Sequence, residues 1–139
     1  MQIEEYIFKE DVITFGREVS SFPRGIKEAF DELIAAVPDG LSRQHYGLSH
    51  MEPGGKIIYI AAAKESQEGE AEKLGYRKYV IPRGPYLSVK LRDWMDRTDQ
   101  IKDVFHELMN DERADLGQQV IEWYQSDIEM LCLVRAKKS

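Results

Sequence analysis

The chain has little of what would tie it to a metal, a membrane or a nucleic acid. One cysteine, Cys132, cannot form an internal disulfide. It lies in the apolar run EMLCLVRA, which reads as a buried strand position, and a lone structural thiol fits a reducing cytoplasm. No apolar run approaches the roughly 18 residues of a membrane span. The start, MQIEEYIFKEDVITF, is acidic and alternating, unlike a signal peptide. Positive charge is scarce: 19 Lys and Arg against 25 Asp and Glu leave a net charge of −6, whereas a phosphate-binding surface needs clustered Lys and Arg. Only RAKK near the C-terminus is locally basic, and it reads as a solvated tail. The three histidines, His45, His50 and His106, show no metal-ligand spacing. A phosphate loop, a nucleophile elbow and a Cys–His pair are all missing. With no helix-turn-helix before residue 12, a one-chain transcription factor is not expected. What remains is a cytoplasmic, single-domain protein for which no metal, cofactor, direct nucleic-acid contact or membrane contact is expected.

What is present is a duplicated plan. Hydrophobic residues make up 42% of the 139 residues, enough for a real core. IEEYIFKEDVITFGREV alternates as two short strands turning near Lys9 to Asp11. A helix follows, with Ser20 or Ser21 as cap and Pro23 in its first turn; Ile26, Phe30, Leu33 and Val37 fall on one face, and Pro38-Asp39-Gly40 ends it. RQHYGLSHM and KIIYIAAAKE then flank a Pro-Gly-Gly turn as a hairpin. Residues 65–75 are polar and acidic and read as a linker with at most a helical turn. Then the order recurs: YRKYVIPRGPYLSVKL as strand, turn and strand; a helix with Ile101, Phe105 and Leu108 inward; and a hairpin turning at Ser126-Asp127. IKEAFDEL, from Ile26, and IKDVFHEL, from Ile101, are identical at five of eight positions. The same 75-residue offset lays Glu52 on Asp127 and Ile58 on Leu133. A repeat of order and register together marks an internal duplication.

The expected fold is therefore α+β: tandem strand–helix–strand–strand modules with pseudo-twofold symmetry, module one about 1–65 and module two about 76–139. The antiparallel sheet would carry helices on one face and a concave ligand cleft on the other. Strand alternation puts Glu122 and Tyr124 on one face and Ile121 and Trp123 on the other. Taking Ile121 and Trp123 as the pair packed on the Phe105 helix sends Glu122 and Tyr124 to the concave side. Their counterparts at the repeat offset are Gly47 and Ser49, so one half carries a carboxylate and a phenol where the other carries almost nothing. That missing bulk reads as room for a guest, and the small run Ala61 to Ala63 as a second low-volume patch. Solvated strand positions for Glu122 and Tyr124 are the plain alternative. Tyr59, Tyr86, Trp94 and Trp123 are candidates for the cleft's aromatic walls, with core packing as their plain alternative.

The segments VIPRGPYLSVKL and EWYQSDIEMLCLV, separated by a helix, resemble the GyrI-like, AraC-type effector-binding domain family. The pattern Ile-Pro-x-Gly-x-Tyr at the start of a strand is met by Ile81, Pro82, Gly84 and Tyr86, and the late Glu-x-Tyr strand by Glu122 and Tyr124. The resemblance spans essentially the whole length and is nearest to the stand-alone branch, without a DNA-binding part. It implies two modules about a pseudo-twofold axis with a small-molecule cleft between them, Glu122 as polar anchor and Tyr124 as its companion. It also implies a bacterial protein related to transcription regulators and multidrug binding.

Three functions follow from the resemblance and the residues together. The first is a stand-alone module that captures bulky cationic or aromatic compounds. The second is a hydrolase of cyclopropane-bearing toxins using Glu122 and Tyr124. The third is a protein-binding regulator such as a gyrase inhibitor, with the acidic run Glu65 to Glu72 as a nucleic-acid mimic or, more simply, a solvated linker. Oligomeric state is left open by the sequence.

Overall fold

A computed structural model of the chain describes residues 2–20 and 24–138. In chain order the elements are β1 (Glu4–Phe8), β2 (Val12–Glu18), α1 (Ile26–Ala36), β3 (His45–Met51), β4 (Ile57–Lys64), α2 (Glu70–Leu74), β5 (Arg77–Ile81), β6 (Gly84–Arg92), α3 (Ile101–Asn110), β7 (Val120–Tyr124) and β8 (Glu129–Arg135). Two 3-10 turns, Trp94–Asp96 and Thr98–Gln100, lead into α3. The expected order of elements is all there, with the acidic linker forming the short α2. Helix α1 begins after Gly25, which takes a left-handed conformation at φ 82°. Two of the residues expected at that helix start, Ser21 and Pro23, lie outside the described residues.

All eight strands form one antiparallel sheet in the order β1-β6-β8-β7-β3-β4-β2-β5. Exchanging each strand with its repeat counterpart reverses that order and leaves every pairing intact. The α+β class, the antiparallel sheet and the pseudo-twofold plan thus stand. The sequence does not show that the modules trade edges: β1 pairs with β6 of the second half, and β5 with β2 of the first. Neither of the two early strand pairs closes as a hairpin on itself.

The repeat register is read directly from the pairings. In the first hairpin Tyr46 faces Ala62; in the second Ile121, its counterpart, faces Leu133. The first hairpin is four residues longer, owing to the Glu52–Lys56 turn closed by Glu52 N–H to the Lys56 carbonyl. Leu133 is thus the counterpart of Ala62 rather than of Ile58. Inward and outward faces survive the shift because it is even.

One core layer lines the face of the sheet away from the helices and draws on every strand, including Phe8, Tyr86, Leu133, Ile121, Tyr46, Ile60, Ile81 and the flanking Val12. The rings of Phe8 on edge strand β1 and Trp123 on central strand β7 are 5.7 Å apart. Strands normally lie about 4.8 Å apart, so rings three strands removed meet only because the sheet curls strongly around this layer. Both helices lie on the other face. Helix α3 packs Val104, Phe105 and Leu108 on Val89, Met130 and Cys132; α1 packs Ala29 on Tyr59 and Ala61, and Leu33 near Phe15 and Ala63. The Ala61–Ala63 run is fully buried core, and two of its methyls seat α1 instead of leaving space. Cys132 is buried as expected, and His106 is an exposed helix position.

The linker is tied down by charge. Arg43, 6% exposed, donates to Asp39, to Glu70 of α2 and to the Lys64 carbonyl. Each guanidinium nitrogen has an acceptor, which is what makes a buried arginine tolerable. The acidic run is thus partly consumed in anchoring α2 to the first module.

Candidate functional site

The site sits where the two modules meet. Central strands β3 and β7 pair Gly47 with Glu122, His45 with Tyr124, and Ser49 with Val120. Because Gly47 and Glu122 are also repeat counterparts, the pseudo-twofold axis passes between them.

The faces expected for the β7 side chains are reversed. Ile121 belongs to the layer away from the helices, and Trp123 packs against that layer. Val120 and Tyr124 pack toward the α3 cluster. Glu122 and Tyr124 therefore stand on the helix-bearing face, in the gap between α1 and α3. The reason lies in the curl: the inner face of the sheet buries large apolar residues too, so hydrophobicity does not identify the helix side.

Tyr124 donates a hydrogen bond to Glu122 Oε1. The Tyr59 hydroxyl lies 3.4 Å from the same oxygen and 3.1 Å from the Tyr124 hydroxyl. A carboxylate and two phenols thus close a triangle. The volume above Gly47 is not vacant: a Cβ there would fall 2.1 Å from the Tyr59 hydroxyl. Gly47 is small because Tyr59 lies across β3 to reach Glu122. The expectation that its missing bulk houses a guest is corrected on that ground.

Burial raises the Glu122 carboxyl above the ordinary carboxylate range, and the hydrogen bonds from Tyr124 and Tyr59 offset part of that rise. Burial and then the Glu122 charge hold both phenols well above their usual range. The Cys132 thiol, the cross-strand neighbour of Glu122, is pushed to about 12 by burial first and by Glu122 second. That thiol is inert.

A cavity of about 630 Å³ opens beside the triangle, between α1 and the Trp94 turn. Ile26, Phe30, His45, Trp94, Met95 and Tyr124 line it. The Tyr124 ring is 5.5 Å from Phe30 and 5.0 Å from Trp94, so three aromatics form one wall. Trp94 is fixed by its indole N–H donating to the Ser126 carbonyl. It follows Asp93, whose φ of 55° turns the chain sharply after β6. Glu122 stands behind Tyr124 and does not itself line the cavity.

Of the eight expected site residues, the structure brings together Glu122, Tyr124, Tyr59 and Trp94, with Gly47 beneath Tyr59. Three are elsewhere. Ser49 is a half-buried cross-strand neighbour of Tyr59 outside the cavity. Trp123 packs on the opposite layer and donates its indole N–H to Gln44. Tyr86 is buried in that layer, donates to the Pro82 carbonyl, and borders a separate groove of about 800 Å³ near Arg135 that none of the other seven touches. Sequence reasoning missed Phe30 and His45. Phe30 keeps helical spacing with Leu33, which gives it the pattern of a core residue. His45 lacks metal-ligand spacing; its place two residues before Gly47 on the same strand face is the available signal. Among the described residues no group of three His, Cys, Asp or Glu side chains is placed to hold a metal ion, and no helix is long and apolar enough to cross a membrane.

The fold is that of a recurring class, a curled antiparallel sheet of two duplicated modules with a helix on each, which solved structures of other proteins share. No protein-family model matches the chain, and no curated protein matches it by sequence. Solved structures match in shape. An integron cassette protein from the mobile metagenome of Vibrio cholerae superposes with a TM-score of 0.72 at 11% identity, over 97% of this chain and 95% of that one. SAV2435 bound to tetraphenylphosphonium gives 0.71 at 13% identity, over 99% and 94%. A hydrolase encoded by lin2189 from Listeria innocua gives 0.62 at 10% identity, over 98% and 92%.

Proposed function

We propose that the chain is a small-molecule-binding domain that takes bulky, aromatic, cationic compounds into the cavity between α1 and the Trp94 turn, with Glu122 as its charge anchor. The observation that carries this reading is a half-buried carboxyl placed directly behind an aromatic wall of Phe30, Trp94 and Tyr124. A carboxylate in such a site attracts a cation more strongly than one in water, because the local dielectric is lower. Each aromatic face adds about 0.5–2 kcal/mol toward a cation. The compound meets the Tyr124 phenol first, and direct contact with Glu122 requires that phenol to turn aside. The bound tetraphenylphosphonium in the similarly folded SAV2435, a bulky aromatic cation, supports the same reading. Thermal-shift titration with tetraphenylphosphonium and cationic acridine dyes tests it. Glu122→Gln should weaken binding about tenfold, roughly 1.4 kcal/mol. Equal affinity in wild type and Glu122→Gln would remove the anchor role.

A second reading, hydrolysis in the same site, is favoured by one observation: Glu122 takes a phenol donor on one oxygen, and burial holds its carboxyl above the ordinary range. A carboxylate tuned upward can act as general base on water, and Tyr124, once turned away from Glu122, can donate to a developing oxyanion. Incubation with a cyclopropane-bearing alkylating compound decides between the two. Product formation abolished by Glu122→Gln supports the hydrolase; saturable binding without product leaves the binding domain.

A further inference from the structure

The described buried polar side chains are Thr14, Arg43, His45 and Ser88. Arg43 and His45 are the two that line the cavity. Arg43 is saturated by Asp39, Glu70 and the Lys64 carbonyl. His45 is not: it is 8% exposed, and its Nε2 is sealed from solvent with no hydrogen-bond partner.

Several of the other polar groups at the cavity are already engaged. The Tyr124 hydroxyl points to Glu122 and Tyr59. Trp94 Nε1 is held by Ser126, Gln44 Oε1 accepts from Trp123, and Lys27 pairs with Asp31 at the rim. The Arg43 backbone favours a proton on the His45 ring, against the larger effect of burial. Since Nε2 has no partner, Nδ1 is the nitrogen placed to carry that proton. Burial keeps the ring neutral, and a neutral imidazole protonated at Nδ1 presents a lone pair at Nε2. Buried acceptors without donors are uncommon in folded proteins and ask for a partner from outside.

We propose that His45 Nε2, which is covered in this structure and is reached only when the imidazole or a side chain over it turns, is a second recognition point, accepting a hydrogen bond from an N–H or O–H group on the bound compound. The cavity then selects protonated aromatic amines and amidines over quaternary cations of the same shape. His45 and Tyr124 are cross-strand neighbours, so a donor at His45 and a positive centre near Tyr124 are reached by one ring system. The Phe30 ring, 6.1 Å from His45 and edge-on to it, closes the side of that slot. This inference rests on the binding reading above and adds the class of ligand.

The test uses the whole chain and two acridinium dyes: proflavine, which carries N–H groups, and its fully N-methylated analogue, which carries none. Titrations follow Trp94 quenching in wild type, His45→Phe, His45→Gln and Glu122→Gln. Wild type should prefer proflavine roughly five- to tenfold. His45→Phe should erase the preference while still binding both dyes, and His45→Gln, which keeps an acceptor, should restore part of it. An unchanged preference in His45→Phe overturns the donor inference and leaves the binding reading standing. If neither dye binds wild type, or if Glu122→Gln binds both as well as wild type does, the binding reading fails and this inference fails with it. Circular dichroism checks that His45→Phe is folded; if it is not, the loss of preference must be seen in His45→Leu.

Discussion

The two halves of the molecule share a plan and differ at their meeting point. Residues near a pseudo-twofold axis face their own counterparts. Gly47 and Glu122 are counterparts and direct cross-strand neighbours. A faithful repeat with glutamate at both positions would place two carboxylates side by side on adjacent strands, where like charges repel and at least one would take a proton. The first half carries glycine instead, and Tyr59 uses the cleared strand to reach Glu122. Asymmetry at the axis is thus a condition for a single, hydrogen-bonded acid there. A second difference has the same character. Ser88 on β6 corresponds by register to Gly16 on β2, because Gly16 pairs with Ala62 and Ser88 with Leu133. In the second half a side chain fits; in the first, a Cβ on residue 16 would fall 1.8 Å from the Ala61 carbonyl oxygen.

Side chains placed at the two glycines of the first half should break these contrasts, beginning with the backbone. Gly16→Ser should destabilise the protein by about 3 kcal/mol or more, since a carbonyl cannot move aside as a side chain can. Urea unfolding measures it, and a loss below about 1 kcal/mol would mean that β2 and β4 can separate. Gly47→Ser should cost about 2 kcal/mol, because the Tyr59 ring is buried and has to shift. It should also weaken dye binding by detaching Tyr59 from Glu122. Wild-type stability with unchanged dye affinity would contradict the role given to Gly47.

Titration sharpens the contrast with a smaller effect. The folded-state pKa of Glu122 lies above its ordinary 4.5, so the folded chain holds this proton longer than the unfolded chain does. Its contribution is fully present below the unfolded value and is lost as pH rises through the folded one. Glu122→Gln should flatten the fall in urea midpoint above pH 4.5, relative to wild type. Cation binding runs the other way and should strengthen as pH rises through the same window. Parallel wild-type and Glu122→Gln midpoint curves would show that the carboxyl is not sealed. The smallest effect is expected on the helices. Asp31→His gives α1 the residue that α3 has at His106. It removes an exposed ion pair with Lys27 and should leave the melting temperature unchanged within error.

Much of this was legible in the sequence, and the limits have physical causes. IKEAFDEL and IKDVFHEL gave the offset that pairs Gly47 with Glu122, and the Pro-Gly-Gly turn and Ser126-Asp127 marked both hairpins. Glu122, Tyr124, Tyr59 and Trp94 were among the candidates and do meet. Ser49, Tyr86 and Trp123 do not join them, because alternation assigns a side chain to a face without saying which face the helices cover. Ile121 and Trp123 were put under α3 on hydrophobicity, yet the curled inner face is equally apolar. His45 escaped notice because its significance is an unpartnered nitrogen, which exists only once its neighbours are in place.

The sequence by itself determined the elements, their duplication and the alternation that keeps Glu122 and Tyr124 on one side of β7, since these follow from local periodicity and from an offset that can be counted. Only the tertiary structure decided the exchange of edge strands, the side of the sheet that faces the helices, and the closing of Tyr59 and Tyr124 over Glu122. Those depend on long-range pairing and on the curl of the whole sheet, and no local window of residues carries that information.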